Sequence, residues 1–550
     1  MNDKCIGLKK GGEMIEQQAY SIKTLAQERK RMYRDYREQL EFVDFYLPFG
    51  GKVRKDNRWV RMAEALPWDV IEELYTRNLA GTGMGTPALP ARVAFGALVI
   101  KEVMGLTDEE TVLYIQENHY AHYFLGYHEY HEEPLFDPSM MTHFRKRFTM
   151  EIVGTINETL VKQAWAGSMR NGRGENSAGT ESKEAPVEEQ ADEPCVMEEE
   201  ERTQDELEKL VEVTGEQSEQ QQPANAGKLL IDATCCPADI TYPTDMDLLN
   251  TAREKKETML DRLWACVRSI NKKPRTYRRK ARKQYVQFSK KRKHYLKTIR
   301  KALGQQLGYV KRNLEHILTL VQEAGLESLT RREYRELLVV QEFYRQQREM
   351  HEHRQHSIPG RIVSISQPHV RPIKRGKAAA ETEFGAKISV GMIEGYAFMD
   401  RLSWDNYNES GDLQEQVERY RERTGEYPES VHADAIYQTR ANRRYCQERT
   451  IRLSGPPLGR PRKEYSEPTP EALAHKQQIR DDERARIPVE GKFGQCKRRF
   501  SMNRIMAKLQ GTSETTIAMT LLIVNLLKLM EDSFSTFFIP YFFSCLGRGF

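Results

Sequence analysis

One short segment near the end of the sequence combines a carboxylate with two cations at helical spacing. Arg486, Glu490 and Lys497 are separated by four and seven residues, so a helix would place all three on one face. The carboxylate could ligate a divalent cation while the two basic side chains hold phosphate oxygens. The spacing also fits an ordinary salt bridge on a solvated helix, worth about 0.3–0.5 kcal/mol. A helix that begins at Pro488 would leave Arg486 just outside it, because proline disfavours helical geometry in the preceding residue.

Two aspartates stand at the ends of predicted strands. Asp232 lies near the end of the apolar segment KLLIDA (228–233), and Asp434 directly follows SVHA (430–433). If these strands are parallel neighbours in a mixed sheet, both carboxylates lie at one edge, where the ligand sites of α/β sheets form. An aspartate at a strand end is otherwise a common helix cap or turn residue, so neither residue alone indicates a site.

The segments around these residues predict a mixed α/β sheet. Glu394-Gly395 offers a tight turn that would join two strands in a hairpin. The order of elements is β, helical insert, β, β hairpin, α, β, α, β, α, which is not a run of simple βαβ units. The predicted strands are 228–233, 361–366, 384–393, 396–402, 430–433 and 451–455, and the helices after the hairpin are 412–425, TRANRRYCQERT and parts of 470–510.

Composition excludes several classes of protein. A chain of 550 residues is too long for one core, since single domains rarely exceed about 250–300 residues. With 39% hydrophobic and 30% charged residues and a mean hydropathy of −0.71, it is neither a polytopic membrane protein, nor collagen-like, nor a small disulfide scaffold. None of the eight cysteines forms a C-x-x-C pair, which excludes a zinc ribbon and favours a reducing compartment. The N-terminus lacks the apolar core of a secretory signal, and the apolar run from Ile517 predicts a buried helix, because Asn525 and Lys528 interrupt it.

Charge is distributed unevenly along the chain. Residues 175–219 hold 17 Asp or Glu against three Lys or Arg and no aromatic residue, which predicts a disordered linker. Residues 271–313 hold 17 Lys or Arg and no Asp or Glu, with aromatic residues between them. A basic helical arm of this kind would bind the phosphate backbone of nucleic acid, because each neutralised phosphate releases counterions. The alternative is a surface helix that only keeps the protein soluble.

In the N-terminal part, residues 14–170, the spacing of apolar residues predicts mainly helices. Asp137 with Pro138 after it provides an N-cap and a first helical residue. The basic residues of the helix that follows, Arg145 and Arg147, could contact DNA phosphate or form a solvated face. The same region contains four histidines at a spacing that zinc could use, which we interpret as packed or surface residues: His119, His122, His128 and His131.

Longer segments carry a family resemblance. They are LLIDATCCPADITYPTDMDLLNTAREK, RIVSISQPHVRPIKRGK, EFGAKISVGMIEGYAFMDRLSWDNYNE, HADAIYQTRANRRYC and RIPVEGKFGQCKRRFSMNRI. In this order they resemble the bacterial insertion-sequence DDE transposases, and LFDPSMMTHFRKRF resembles the N-terminal helical domain of that family. The resemblance implies an RNase H-like catalytic core whose acidic triad is Asp232, Asp434 and Glu490.

The family's third motif has the pattern Y-x2-R-x3-E-x6-K. Arg486, Glu490 and Lys497 match it, whereas Glu483 stands at the tyrosine position. Arg486 and Lys497 are therefore candidate contacts to DNA phosphate. Lys492, which flanks the motif, is a further candidate.

The resemblance also implies a cofactor and partners. Three carboxylates brought close together would repel one another, and two Mg²⁺ ions about 3.5–4 Å apart would relieve that repulsion, with Mn²⁺ as the alternative. Water would cleave the transposon-end phosphodiester, and the freed 3′-OH would then attack target DNA. The partners would be the inverted-repeat ends and the target DNA, held by a homodimer or larger assembly in the bacterial cytoplasm. Two alternatives are an RNase H-like nuclease that cuts without joining and a catalytically inactive DNA-binding derivative.

These observations divide the chain into predicted units. A helical, DNA-binding domain (14–170) is followed by an acidic disordered linker (171–227) and an RNase H-like core (228–530). A basic helical insertion (247–357) interrupts the core, and an apolar tail (531–550) follows it.

Overall fold

The computed structural model describes residues 53–79, 87–172, 225–267, 273–377, 380–455 and 470–546, together with Phe49. Predictions for residues 14–48 and for most of the acidic linker (171–227) therefore lie outside the described residues. In the last helix, side chains are described as far as Asp532. The packing of the apolar tail (531–550) lies almost wholly beyond that point.

Six strands of the described chain form one mixed sheet: β1 (Lys228–Pro237), β2 (Arg371–Lys377), β3 (Ala380–Ile393), β4 (Tyr396–Ser403), β5 (Ser430–His432) and β6 (Arg452–Leu453). Strand β1 pairs antiparallel with β3 on one side and parallel with β5 on the other. β3 also pairs antiparallel with β2 and β4, and β6 lies parallel beside β5. This is the mixed α/β fold that the sequence predicts, consistent with an RNase H-like core and a helical domain.

Helices precede the sheet, interrupt it and follow its hairpin. Those before the sheet are α1 (Arg58–Ala65), α2 (Trp68–Arg77), α3 (Ala91–Met104), α4 (Asp108–Glu117), α5 (His119–Phe124), α6 (Met140–Arg147) and α7 (Met150–Gly172). The insert between β1 and β2 contains α8 (Asp245–Val267), α9 (Arg278–Ser289), α10 (Leu296–Ala324) and α11 (Arg331–His353). The others are α12 (Leu413–Thr424), α13 (Arg440–Glu448), α14 (Pro470–Arg499) and α15 (Gln510–Leu546).

Local sequence explains several of these boundaries. Glu394 and Gly395 both adopt positive φ (51° and 82°), which a two-residue turn between β3 and β4 requires. Gly425 ends α12 in the left-handed conformation (φ 92°) that glycine reaches without strain. Before α6, the Asp137 carboxylate accepts the Ser139 N–H (2.9 Å), but the N-cap is Ser139 and the helix begins at Met140, two residues after the predicted start at Pro138.

The predicted strand at 361–366 is wrong. Ile362 and Ile365 are buried against the helical insert, so this apolar segment packs on helices instead of joining the sheet. The Ile362 N–H donates to the Gln346 side chain (2.9 Å), which satisfies it without a strand partner. The next strand, β2, begins only at Arg371.

The insert has a hydrophobic core of its own, which α8, α10 and α11 share. Two cations are buried on α8. Arg253 donates to Glu257 (2.7 Å), and Lys256 lies 3.2 Å from Glu336 of α11. A buried cation is costly without a counter-charge, and the Lys256–Glu336 pair meets this need by joining α8 to α11, whereas the Arg253–Glu257 pair lies within α8. The core includes Leu260, Ile317 and Phe343.

The apolar run from Ile517 forms a buried helix, as predicted. Helix α15 contacts β4 and the N-terminal helices α3, α6 and α7. One hydrophobic cluster contains side chains from all of these elements, so the N-terminal helices and the sheet share a core. In the described chain, the segment Gln510–Asp532 is long and apolar enough to cross a membrane, but 72% of its most apolar window is buried inside the protein.

Asn525 joins three elements within this shared core. Its Oδ1 accepts the Ala397 N–H (2.8 Å), and its Nδ2 donates to the Ala397 carbonyl (2.7 Å) and to Asn157 Oδ1 (2.9 Å). The Asn157 side chain in turn donates to the same carbonyl (3.2 Å). The polar residue that interrupts the apolar run therefore connects α15, α7 and β4.

Replacing the Asn525 amide should weaken the attachment of α15 to α7 and β4 and so lower the stability of the protein. Asn525→Leu leaves the buried Ala397 backbone groups short of partners and is expected to cost about 1–3 kcal/mol, measured as a lower unfolding temperature by calorimetry. Thr520→Val is the matched control, because Thr520 is equally buried but its hydroxyl bonds within α15, to the Thr516 carbonyl (3.1 Å). An Asn525→Leu protein that unfolds no earlier than Thr520→Val would contradict this assignment.

Candidate active site

The parallel pairing of β1 and β5 brings Asp232 and Asp434 to the same level of the sheet. Leu230 lies opposite His432 in this pairing, and two further residues along each strand lead to Asp232 and Asp434. Each carboxylate is held locally by a backbone N–H. Asp232 accepts from the next residue in the strand at 2.7 Å, and Asp434 caps the short turn after β5 by accepting from the residue that follows it at 2.8 Å.

The two carboxylates differ in their exposure to water. Burial raises the pKa of Asp232 above its ordinary value, and the nearby negative charges of Asp434 and Glu409 raise it further. The Ala233 N–H and the Arg486 guanidinium lower the pKa of Asp232 without cancelling the effect of burial. The Asp434 side chain is 58% exposed. The pair therefore consists of a desolvated carboxylate beside a solvated one, close enough to repel each other.

A cation from α14 lies over this pair. The helix runs unbroken through Pro488, so Arg486 and Glu490 lie on one helix, one turn apart. Arg486 Nη1 is 3.6 Å from Asp434 Oδ1, and the guanidinium also acts on Asp232. The alternative that Arg486 precedes the helix is wrong.

Contacts on both sides of Arg486 fix α14 against the sheet. Asp482, one turn earlier, accepts two hydrogen bonds from Arg452 of β6 (2.8 and 2.9 Å) and lies 3.6 Å from His432 Nδ1 of β5. Val489 and Phe493, on the following turns, are buried in the shared core. The helix is therefore attached at the parallel side of the sheet, where the two aspartates lie.

Glu490 occupies the next turn of α14, but it does not close onto the aspartates. Its side chain is exposed and makes no hydrogen bond or ion pair with a described residue. Across the described ranges, no three carboxylate, imidazole or thiol groups lie close enough together to hold a metal ion. The structure thus brings together Asp232, Asp434 and Arg486, with Glu490 exposed beside them on the same helix.

The other basic residues near the third motif have different surroundings. Lys492 is half-buried, and burial lowers its pKa, with a further contribution from the positive charge of Lys528 on α15. The groups that act on Lys492 include Glu531 and Asp532, which places its ammonium toward α15. Lys497 is half-buried in the last turn of α14.

The two arginines predicted as phosphate contacts in the N-terminal part serve the packing of α6. Arg145 is buried and donates to both carboxylate oxygens of Asp108 (2.9 and 2.6 Å). Arg147 donates to the Tyr75 hydroxyl (2.6 Å) and lies 5.7 Å from the centre of that ring. The burial of Arg145 leaves little of its guanidinium for DNA, and a phosphate contact by either residue stays a prediction.

The structure adds a carboxylate that sequence reasoning missed. Glu409 lies in the short turn Glu409–Gly411 before α12, acts on Asp232 and pairs with Lys387 of β3 (2.5 Å). Nearby Tyr437 is buried, which raises the pKa of its hydroxyl, and the charges of Glu409 and Asp232 raise it further. No spacing in the sequence could indicate this, because the loop before α12 reaches the site only through the fold.

The histidine-rich segment of the N-terminal part packs among aromatic rings. His122 is fully buried and contacts Tyr127 and Tyr130, with ring centres 6.0 and 5.2 Å away. Burial lowers its pKa. The interpretation of this histidine as a packed residue is confirmed.

The raised pKa of Asp232 predicts that the difference in stability between the Asp232→Asn variant and the wild-type protein depends on pH. Because the folded state disfavours the ionised carboxylate, Asp232→Asn should raise the unfolding temperature at neutral pH. The difference should appear as the pH rises above the ordinary aspartate pKa of about 3.9 and vanish near pH 3, where both proteins carry a neutral group. Asp405→Asn is the control, because that side chain is 81% exposed. Equal effects of the two substitutions across this pH range would contradict the burial of an ionised Asp232.

Two regions of the chain match known protein families. Residues 431–527 match the family described as "Transposase DDE domain", and residues 48–147 match "Transposase domain (DUF772)". The first match contains Asp434, Arg486 and Glu490, whereas Asp232 lies outside it.

One curated relative is 35% identical to this chain over 88 residues: "Uncharacterized protein ORF8 in nfe locus" from Rhizobium meliloti. The match covers 16% of this chain and 42% of that protein, so the chain spans less than half the length of the relative. No solved structure matches the chain. The two matches, one over the N-terminal helices and one over the parallel side of the sheet, support an insertion-sequence DDE transposase.

Proposed function

We propose that this protein cleaves the phosphodiester at the ends of an insertion sequence and transfers the freed 3′-OH into target DNA. The observation that carries the proposal is the placement of Asp232 and Asp434 at one level of adjacent parallel strands, with Arg486 beside them. Two acidic groups held against their own repulsion next to a cation form a site suited to phosphoryl transfer. The match to a transposase DDE domain supports DNA transposition as the reaction that this phosphoryl transfer serves.

The proposed metal ligands are Asp232, Asp434 and Glu490. Transposase DDE domains generally use divalent metals, and these carboxylate oxygens suit Mg²⁺, with Mn²⁺ as the alternative. The raised pKa of Asp232 supports the fit, because a bound cation would relieve the repulsion between the two aspartates. A pair of such ions supplies Lewis-acid stabilisation of the attacking and leaving oxygens.

The basic residues of α14 would position the DNA. Arg486, whose guanidinium lies 3.6 Å from Asp434, would hold the oxygens of a phosphate brought to this site by the metal ions. Lys497 would contact the backbone further along the same helix. Water would be the nucleophile in the first step and the 3′-OH in the second, so no covalent bond between protein and DNA forms.

The insert would supply a separate contact to the DNA backbone. On α9, four basic residues are exposed and make no ion pair with a described residue: Arg279, Lys280, Arg282 and Lys283. By contrast, Arg278 at the start of the helix donates two 2.8 Å hydrogen bonds to Asp261. Because two ends must be joined in one event, we propose that the working form is a homodimer or a larger assembly.

An assay of the Asp232→Asn variant should distinguish a transposase from a nuclease and from an inactive DNA-binding derivative. With Mg²⁺, a labelled element end taken from the repeats that flank the reading frame and a supercoiled target, Asp232→Asn should lower cleavage and joining together by at least about 100-fold. Asp405→Asn, an exposed aspartate, should retain both. If Asp232→Asn joins DNA at the wild-type rate, Asp232 is not a catalytic residue. If the wild-type protein cleaves the element end but does not join it to the target, the protein is a nuclease.

Removing the four α9 cations should weaken DNA binding in a salt-dependent way. For the variant with Arg279, Lys280, Arg282 and Lys283 changed to Ala, the slope of log affinity against log salt should fall by about 0.9 for each phosphate that the protein no longer neutralises. The control changes Arg345 and Arg348 to Ala, because both are exposed but paired with glutamates of their own helix. An unchanged slope in the α9 variant would exclude this face as a backbone contact.

A further inference from the structure

The most exposed large apolar side chains of the described chain are adjacent. Tyr295 is 79% exposed and Leu296 is 76% exposed, and they lie where α9 and α10 join. Single exposed apolar residues are common on protein surfaces, but a contiguous and highly exposed pair at the turn between two helices is a candidate interaction site. We call residues 290–297 the hairpin tip.

The hairpin tip is also strongly basic. Five of its eight residues are cations, all are exposed, and none makes an ion pair with a described residue: Lys290, Lys291, Arg292, Lys293 and Lys297. Elsewhere in the insert, exposed cations such as Lys273 and Lys311 do have acidic partners, Asp261 and Glu315. An apolar pair surrounded by unneutralised positive charge repels a second copy of itself and favours a polyanion.

Contacts behind the hairpin tip hold it in one conformation. Phe288 and His294 stack face to face across the turn, with ring centres 4.0 Å apart. The Tyr309 hydroxyl of α10 donates to the Gln284 side chain of α9 (3.0 Å). The two exposed side chains therefore sit on a preorganised turn, which reduces the entropy lost when it binds.

We propose that the hairpin tip inserts Tyr295 and Leu296 between neighbouring base pairs of duplex DNA, while the surrounding cations hold the flanking phosphates. The inference rests on the proposed function, which makes DNA the ligand, and adds a role that backbone binding alone does not supply. Apolar wedges unstack base steps and kink the duplex, and aromatic rings stack on exposed bases. A site that must open or bend a DNA end would gain access to its scissile bond in this way.

The test uses the full chain and a random-sequence duplex of about 30 base pairs carrying a dye at each end. Wild-type protein should raise energy transfer between the dyes and make thymines reactive to permanganate. The variant Tyr295→Ala with Leu296→Ala should lose both signals and bind roughly 5- to 150-fold more weakly, with an unchanged salt slope. The control, Tyr334→Ala with Leu338→Ala, removes another exposed apolar pair of the insert and should behave as wild type.

Three outcomes would overturn the inference. Bending and thymine reactivity that persist in the Tyr295→Ala, Leu296→Ala variant would exclude insertion. If the wild-type protein cleaves and joins an element end without distorting the duplex, the proposed function holds but Tyr295 and Leu296 do not insert between base pairs. If the variant instead loses binding only to vesicles of anionic phospholipid, the ligand of the hairpin tip is a membrane surface.

Discussion

The carboxylates of Asp232 and Asp434 lie near each other at the parallel side of the sheet and repel each other. The other charged groups of the site respond to this repulsion. Asp232 pairs with Val390 of β3 and lies two residues beyond the last residue of β1 that pairs with β5, so the sheet fixes its backbone close to Asp434. Burial makes its charge more costly still, as the raised pKa records. Arg486 offsets part of this cost, and a bound divalent cation would offset more. The fold thus keeps an arrangement whose remaining repulsion a bound cation would relieve.

The position of Arg486 depends in turn on how two helices are fixed. Asp482 attaches α14 to β5 and β6, while Val489 and Phe493 bury the other side of the helix in the shared core. Helix α15 completes that core, and Asn525 connects it to β4 and α7 through hydrogen bonds. The N-terminal helices therefore contribute to the core against which the acidic site is built.

In the described part of the insert, buried cations have acidic partners, whereas most exposed cations do not. Inside, Arg253 and Lys256 have carboxylate partners, as buried cations require. Outside, the cations of α9 and of the hairpin tip are exposed, and apart from Arg278 none has an acidic partner among the described residues. The same residue types thus stabilise the insert internally and give its outer surface a positive field. That field would steer a polyanion toward the insert.

Elements whose signals are local could be predicted from the order of the amino acids. The apolar segment KLLIDA, the two-residue turn at Glu394-Gly395 and the glycine that ends α12 predicted strand, hairpin and helix correctly, because each depends on neighbouring residues. The segment 361–366 has the same apolar character, yet it packs on α11, because burial against a helix satisfies such a segment as well as a sheet does. That Asp232 and Asp434, about 200 residues apart, lie at one level of the sheet depends on the pairing of β1 with β5, which is a long-range contact that no local pattern predicts. The tertiary structure also brought Glu409 to the site and left Glu490 exposed, because loop path and helix placement depend on the whole core.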